Sequence, residues 1–301
     1  MNIVIIHTGF VKYLIYTLRK IKETNKNANI FLISDKECKE YFKYSSFVDI
    51  KKVIKEESIE FKNKYIHLGK SNPNYEMFCM QRWIILKDFM KEYNIRECFH
   101  IDSDILLFSD LNEALNPFNK YNISLAHNLG LSMYIKDVKV LEEFSKYLLF
   151  KYTNEKEINK LKDMYYNTNR VNNGVAGSIS DMDLSRDFFS NFNLPVGNLS
   201  EIENDSVFDS AIVYGGAEFE MLKKGRYQMK KIFFENKIPF CNYSKDKINK
   251  KIRFHSLHFL VWAKLYIKKL SENRDLDFNP YYINLYREFI VFKNKIKKLF
   301  N

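Results

Sequence analysis

Hydrophobic and polar positions follow two different periods in the first part of the chain. Ile3–Ile6 and Ile30–Ile33 are short apolar runs that predict buried strands, while Tyr13–Glu23 between them repeats apolar positions at helical spacing. This strand, helix, strand order with short connections predicts the beginning of a parallel sheet. Ligands of such sheets bind beyond the carboxyl ends of the strands. The pattern therefore predicts an α/β protein with a ligand site at that edge.

Further runs with the same two periods predict more elements. The predicted strands are Phe47–Ile54 and Ile123–Ala126, and the predicted helices are Met77–Tyr93, Val138–Tyr152 and Glu155–Tyr166. Asn72–Asn74 is predicted as a loop, and the polar residues Gln81, Lys87 and Asp88 are placed on the surface of the helix that follows. Glu235–Lys237 separates two strand-like runs and predicts a hairpin.

Two carboxylates interrupt the apolar stretch Cys98–Asp110. Phe99 and Ile101 precede Asp102 and Asp104, and further apolar residues follow, so both charges fall within a predicted buried strand. Side chains at positions i and i+2 of a strand share a side, roughly 6.5 Å apart, which suits one divalent cation between them. Carboxylate oxygens favour Mg²⁺ or Mn²⁺, and these ions retain positions for diphosphate oxygens. The alternative is a solvated turn.

Polar residues also follow the first two predicted strands. Thr8 and Gly9 come after the first strand and Asp35 after the second, where a parallel sheet binds its ligand. These residues are predicted to contact a nucleotide. The alternative is that Thr8 and Asp35 cap helices.

A second group of candidate ligands lies near the C-terminus. A neutral imidazole can complete a metal shell beside two carboxylates, and this stretch offers two histidines, His255 and His258. Lys264, six residues further on, can neutralise phosphate. His255 is predicted to be a core residue, because a single histidine is more often structural.

These motifs resemble those of the GT-A glycosyltransferases, and in particular glycosyltransferase family 8. Asp102-Ser103-Asp104 resembles the Asp-x-Asp motif that holds a metal-bound nucleotide-diphosphate sugar, and His258 to Lys264 resembles His-x-x-Gly-x-x-Lys, with Val261 in place of the glycine. The resemblance implies that Asp102, Asp104 and His258 bind the metal. It also implies that Ser103 contacts the donor and that Lys264 contacts its diphosphate.

Three weaker matches extend the resemblance. Arg82 matches by position the arginine that contacts the donor, and Asn173-Gly174 resembles the Asn-x-Gly segment that lines the sugar pocket. Asp209 matches the first acid of Asp-Gln-Asp, although Ser210 and Ala211 replace the other two residues. The resemblance implies that Asp209 orients the sugar or acts as a base.

Charge is concentrated in the last part of the chain. The sequence has 48 Lys or Arg and 37 Asp or Glu residues, and residues 221–301 contain 20 of the former and six of the latter, so this part carries +14. Apolar positions recur at helical spacing in Tyr281–Phe300 with lysines around them. This pattern predicts a helix that either packs on the catalytic domain or contacts an anionic membrane surface. Nucleic acid is not expected as a partner.

The remaining features concern the compartment. The four cysteines lack paired spacing, which indicates buried thiols in a reducing environment. The beginning, MNIVIIHTG, predicts a strand and not a signal peptide, and no run approaches the ~20 apolar residues of a membrane span. A cytoplasmic protein is expected, with peripheral contact at the inner face of the membrane as a further option.

Together these features predict a GT-A domain over residues 1–268, with a mixed, mostly parallel, Rossmann-like sheet flanked by helices, and a basic helical tail over 269–301. The expected function is metal-dependent transfer of a sugar from a nucleotide-diphosphate sugar, with a UDP-sugar as the first choice, to a glycan or lipid-linked acceptor in surface polysaccharide or glycoconjugate synthesis. The alternatives are a sugar nucleotidyltransferase and a non-catalytic basic binding protein. The first would be expected to carry a Gly-rich basic loop, which His7-Thr8-Gly9 does not supply.

Overall fold

The computed structural model describes residues 1–167, 178–193, 195–214, 218–246 and 248–299. The chain divides into two compact units. The first unit is Met1–Phe10, Asn27–Asp102 and Leu115–Leu199, and the second is Val11–Lys26, Ser103–Ala114 and Ser200–Asn301. The chain therefore leaves the first unit inside the Asp-Ser-Asp segment.

Strands and helices alternate through most of the chain. The described strands are β1 (Asn2–His7), β2 (Asn29–Ser34), β3 (Ser46–Asp49), β4 (Cys98–Ile101), β5 (Ile105–Leu107), β6 (Ile123–Ala126), β7 (Leu129–Ile135), β8 (Gly197–Asn198), β9 (Ser206–Phe208), β10 (Met221–Lys224), β11 (Tyr227–Lys230), β12 (Phe233–Glu235), β13 (Ile238–Lys245) and β14 (Ile248–His258). The described α-helices are α1 (Tyr13–Thr24), α2 (Lys39–Phe42), α3 (Ile50–Val53), α4 (Glu56–Lys64), α5 (Pro73–Glu92), α6 (Leu111–Ala114), α7 (Val138–Thr153), α8 (Glu155–Asn167), α9 (Asp181–Ser190), α10 (Ile267–Ser271) and α11 (Pro280–Leu299). Asn116–Phe118 and Val261–Tyr266 form 3₁₀ turns.

The first unit is built on a mixed sheet with the strand order β3-β2-β1-β4-β7-β6-β8. β2 pairs with β1 and β3 in parallel, and the pairs β1–β4 and β6–β8 are also parallel. The antiparallel pairs are β4–β7 and β6–β7. Apolar side chains of α4, α5, α7 and α9 join those of the sheet in one core. The predicted α/β class, with a mostly parallel sheet flanked by helices, is confirmed.

Helix α5 differs from the prediction in its beginning and in its environment. Asn72 accepts a hydrogen bond from the backbone N–H of Tyr75 at 3.2 Å, and Pro73 is the first helical residue, so the predicted loop is the first turn of the helix. The predicted surface position of Gln81, Lys87 and Asp88 is wrong, because all three side chains are buried. Gln81 donates to the backbone oxygen of Ser58 at 3.0 Å. The helix is enclosed by neighbouring elements, so one apolar stripe does not describe it.

The predicted strand Phe47–Ile54 is only half correct. The strand ends at Asp49, whose side chain accepts a hydrogen bond from the backbone N–H of Lys51 at 3.0 Å and caps α3. An aspartate that caps a helix ends the extended conformation after its own residue. Several elements of the first unit had no counterpart in the sequence analysis, among them α4, β7 and α9.

The second unit contains an antiparallel sheet with the order β12-β13-β14-β5, and β9 pairs with β14 in parallel. The predicted hairpin is confirmed between β12 and β13. Asn236 and Lys237 connect these strands with φ angles of 49° and 68°, the signs that a tight hairpin turn requires. A separate antiparallel pair, β10 and β11, precedes the hairpin.

Helix α11 contacts its unit through one face near its N-terminus. Ile283 is fully buried, and Asn284 accepts hydrogen bonds from Arg226 at 2.9 Å and from the Tyr227 hydroxyl at 2.7 Å. Several large apolar side chains of the same helix are exposed: Tyr281, Tyr282, Leu285, Phe289, Ile290 and Phe292. No helix in the described residues combines the length and the hydropathy needed to cross a membrane.

Candidate active site

The Asp-Ser-Asp segment is a turn between two sheets. β4 ends at Ile101 in the sheet of the first unit, and β5 begins at Ile105 in the sheet of the second. The expected single strand with both carboxylates on one side is therefore wrong, because Asp102 and Asp104 lie outside regular strand structure. Asp102 belongs to the first unit and Asp104 to the second.

Asp104 is a buried carboxylate surrounded by positive or polarisable groups. Its Oδ1 lies 3.4 Å from Nε2 of His258, and its Oδ2 lies 2.7 Å from Nζ of Lys264. Burial by itself would raise the pKa of Asp104, but the hydrogen bond and charge of a protonated His258, together with the charge of Lys264, outweigh it and hold that pKa well below its usual range. The carboxylate is therefore ionised at neutral pH.

His258 is fixed from two sides by residues of the same unit. Its Nδ1 lies 2.6 Å from the backbone oxygen of Ser210, and its backbone N–H donates to Oδ2 of Asp209 at 3.1 Å. A carbonyl oxygen can only accept, so Nδ1 carries the hydrogen of the neutral ring. Nε2 faces Asp104, so a protonated ring can donate its second hydrogen to that carboxylate, and in the neutral ring the lone pair resides on Nε2. This tautomer is the one that a metal ligand needs.

Asp209 and Lys230 form a buried ion pair beside His258. Oδ1 of Asp209 lies 2.5 Å from Nζ of Lys230, and the two side chains are 0% and 5% exposed. Lys230 also donates to the backbone oxygen of Ala211 at 2.9 Å. Lys230 was not singled out from the sequence, because a lysine at the end of a short strand carries no motif.

Arg82 lies in the first unit between two acids. It forms an ion pair with Asp102, and its Nη2 lies 3.0 Å from Oδ2 of Asp181. Burial opposes its charge, but Asp102 and Asp181 outweigh that effect and raise the pKa of Arg82. A solvated surface arginine is therefore excluded. Asp181 was missed, although Ser180 and Asp183 form a capping box that could have placed the beginning of α9 in the sequence.

The strand-end residues of the first unit are linked to each other. The backbone N–H of Gly9 donates to Oδ1 of Asp35 at 2.6 Å, and Gly9 has a φ of +78°. Thr8 and Asp35 are exposed. Lys12 and Cys38 are the N-cap residues of α1 and α2, so in the described residues the capping alternative for Thr8 and Asp35 is not found.

Three further predicted site residues remain, Ser103, Asn173 and Gly174. In the second unit, Ser103 is buried, and its backbone oxygen accepts a hydrogen bond from the Thr17 hydroxyl at 2.9 Å. Asn173 and Gly174 lie outside the described residues. The ligand roles of all these residues stay predictions.

Comparison with known proteins yields structural matches alone. No family model matches the sequence, and no curated protein matches it. The apo form of mouse xyloside xylosyltransferase 1 matches with a TM-score of 0.45 and 13% identity, covering 69% of this chain and 88% of that chain. A galactosyltransferase, LgtC, in complex with donor and acceptor sugar analogues matches with a TM-score of 0.36 and 12% identity, covering 61% and 69%. A cytidylyltransferase from Leptospira borgpetersenii serovar Hardjo-bovis (strain JB197) matches with 0.32 and 15%, covering 63% and 94%.

Proposed function

We propose that the chain is a metal-dependent glycosyltransferase of the GT-A type, which moves a sugar from a nucleotide diphosphate to a glycan or lipid-linked acceptor. The observation that carries the proposal is the environment of Asp104, where a buried carboxylate faces Nε2 of His258 and the ammonium of Lys264. A carboxylate, an imidazole and a nearby cation suit a divalent ion and the phosphates that it binds. The product would enter surface polysaccharide or glycoconjugate synthesis.

Asp102, Asp104 and His258 would hold Mn²⁺ or Mg²⁺. The donor set fits, because Asp104 is ionised and the Ser210 carbonyl leaves Nε2 as the nitrogen with the lone pair when His258 is neutral. Asp102 is included because it is two residues from Asp104, a span of at most ~7 Å along the backbone. When bound, the ion would neutralise the charge that grows on the leaving diphosphate.

The other residues would bind and orient the donor. Lys264, whose side chain is 30% exposed, can turn its ammonium from Asp104 to a phosphate oxygen. Arg82 would fix the carboxylate of Asp102 and add positive charge at the donor. The remaining proposed donor contacts are Thr8, Gly9, Asp35, Ser103, Asn173 and Gly174.

A location at the inner, cytoplasmic face of a membrane is part of the proposal. The exposed apolar side chains of α11 and the lysines that follow them in the sequence suit an anionic bilayer surface. Such contact would bring the enzyme to a lipid-linked acceptor without a spanning segment.

The test is turnover of a panel of nucleotide-diphosphate sugars, UDP-sugars first, with Mn²⁺ and with EDTA. Release of the nucleoside diphosphate with Mn²⁺ and its loss in EDTA are expected, and Asp104→Asn provides the inactive control. Release of pyrophosphate from a nucleoside triphosphate and a sugar phosphate would instead support a nucleotidyltransferase. Absence of both reactions would contradict the enzymatic proposal and favour a binding protein.

A further inference from the structure

Burial of the ion pair between Lys230 and Asp209 costs desolvation free energy. Both side chains are removed from water, and Lys230 lies over the rings of Phe219 and Phe254 at 5.2 and 5.7 Å. Desolvation of two such charges costs several kcal/mol each, and replacement of a buried pair by apolar residues is often neutral or stabilising. Stability alone is therefore a weak reason for this pair. The hydrogen bonds around the pair indicate that it positions a neighbouring segment.

The ion pair anchors the segment Asp209–Ile212, and this segment contacts His258 at three points. Oδ2 of Asp209 accepts the backbone N–H of His258 at 3.1 Å, and the backbone oxygen of Ser210 accepts Nδ1–H at 2.6 Å. The backbone N–H of Ile212 donates to the backbone oxygen of His258 at 2.9 Å. Backbone and ring of His258 are thus held by one segment.

Lys230 fixes the same segment from the other side. Its ammonium binds both Oδ1 of Asp209 and the backbone oxygen of Ala211, and its backbone N–H donates to the backbone oxygen of Ile212 at 2.8 Å. One lysine therefore sets the position of three parts of the segment: the carboxylate of Asp209, the peptide after Ala211, and the peptide after Ile212. Loss of its charge would free the Asp209 carboxylate to rotate away from the His258 N–H.

We propose that Asp209 and Lys230 are positioning residues, which hold His258 in the tautomer and orientation that present Nε2 to a divalent cation. This inference rests on the proposed function for the identity of the cation. It differs from the role that the sequence predicted for Asp209, since a base or sugar ligand must reach substrate. Both oxygens of Asp209 are used inside the protein, and its side chain has no exposed surface.

The experiment uses the full chain with Lys230→Met, which removes the charge but keeps an apolar stem, and Lys230→Arg, which retains it. Lys231→Met is the matched control, because Lys231 is the next residue, is exposed, and pairs with Glu220. Mn²⁺ binding is measured by calorimetry without donor. We expect Lys230→Met to weaken Mn²⁺ binding by about 10- to 100-fold, the usual effect of losing a group that orients a metal ligand. Lys230→Arg and Lys231→Met should bind Mn²⁺ within about twofold of the wild type.

A second measurement is independent of the metal. Long-range ¹H–¹⁵N spectra of histidine-labelled protein report which nitrogen of His258 carries the hydrogen. At a pH where the ring is neutral, the wild type should show the Nδ1–H tautomer, and Asp209→Asn and Lys230→Met should show a mixture of the two tautomers. Asp209→Asn keeps an oxygen for the His258 N–H and serves if Lys230→Met does not fold.

The outcomes are distinct. Unchanged Mn²⁺ affinity and an unchanged tautomer in both variants would overturn the positioning role. If excess Mn²⁺ restores the turnover of Asp209→Asn, the positioning role is supported, whereas a persistent loss at saturating Mn²⁺ would support direct contact with substrate. A wild type that binds no Mn²⁺ would overturn the metal-dependent function, and the tautomer would still decide the positioning role.

Discussion

Oδ1 of Asp104 lies 3.4 Å from Nε2 of His258, although the two residues are far apart in sequence. They meet because β5 pairs antiparallel with the end of β14, with Ile105 directly opposite His258. The backbone N–H of Phe259 also donates to the backbone oxygen of Asp104 at 3.0 Å. One strand pairing therefore brings the second acid of the Asp-Ser-Asp segment to the histidine, and a register shift of one residue would separate them.

The first prediction concerns Asp104. Asp104→Asn should reduce turnover of the donor by ~10³, equivalent to about 4 kcal/mol of transition-state stabilisation, because the amide neither carries charge nor binds a divalent ion well. The measurement is release of nucleoside diphosphate with Mn²⁺. Asp110→Asn changes an exposed acid nearby and should leave turnover unchanged. Full turnover of Asp104→Asn with Mn²⁺, or full turnover of the wild type in EDTA, would contradict a metal role.

The second prediction separates the two histidines of β14. His258→Ala should raise the Mn²⁺ concentration needed for half-maximal turnover, with a small change in melting temperature. His255→Ala should mainly lower the melting temperature, because its ring bridges the hydroxyls of Ser109 and Ser206 at 2.8 and 2.9 Å. Titration of turnover with Mn²⁺ and a thermal melt of each variant decide the matter. Equal effects on the metal requirement would contradict the assignment.

The third prediction is a loss of stability in mild acid. Burial, and then the charge of Arg253, lower the pKa of His255 from 6.5 to about 4. Between these two pH values, His255 binds a proton in the unfolded chain but not in the folded chain. The contribution of His255 to the free energy of unfolding is therefore largest above pH 6.5 and decreases as the pH falls toward 4. The free energy of unfolding should therefore lose roughly 1 to 2 kcal/mol from this residue between pH 7.5 and 5.

Urea unfolding at the two pH values measures this effect. His255→Gln should reduce the difference between them, because glutamine does not titrate. His127→Gln replaces an exposed histidine and should leave the difference as it is in the wild type. The same difference in all three proteins would mean that His255 titrates normally when folded.

The fourth prediction concerns the buried partner of Arg82. Asp181→Ala removes one of two charged acceptors and should lower the free energy of unfolding by about 2 kcal/mol, the usual cost of a buried hydrogen bond to a charged group. Asp187→Ala changes an exposed acid of the same helix and should cost less than ~1 kcal/mol. Urea unfolding of both variants is the measurement. Equal losses would show that burial of the Arg82 pair adds nothing.

Local patterns predicted those parts of the fold that local forces determine. β1, α1, β2 and the hairpin at Asn236 are set by short-range periodicity and turn chemistry, and all were predicted from the sequence. The turn at Asp102 was mistaken for a strand, because apolar residues on both sides belong to two different sheets. A hydrophobic pattern predicts that residues are buried, but it does not predict which sheet they belong to.

In the candidate site, too, some residues could be predicted from local sequence and others depend on tertiary contacts. Asp104, His258 and Lys264 could be named from residue types that suit metals and phosphates, and the structure brings these three together. Asp181 and Lys230 could not, since their partners Arg82 and Asp209 are far away in the sequence. Both pairs depend on tertiary contacts. Only the capping box at Ser180 left a local sign of where α9 begins.

The last prediction concerns membrane attachment by α11. Ile283 and Asn284 fix one face of this helix to the second unit, while Tyr281, Leu285 and Phe289 are exposed. Each basic residue near an anionic bilayer contributes ~1 kcal/mol, so four lysines contribute ~4 kcal/mol, a factor of ~10³ in binding. We therefore expect cosedimentation with anionic liposomes at low salt, and its loss at high salt. Binding should also be lost on substitution by Glu at the four lysines Lys293, Lys295, Lys297 and Lys298.

A matched variant distinguishes a local surface from net charge. In this variant, Glu replaces four exposed lysines of the first unit, so its net charge equals that of the α11 variant. The four residues are Lys51, Lys52, Lys62 and Lys64. This variant should cosediment as the wild type does, because it keeps the four lysines of α11 that the proposal assigns to the bilayer. Liposomes of neutral lipid should recover neither protein. If the wild type stays in the supernatant at low salt, or both variants lose binding equally, α11 is a structural helix and the acceptor is to be sought among soluble glycans.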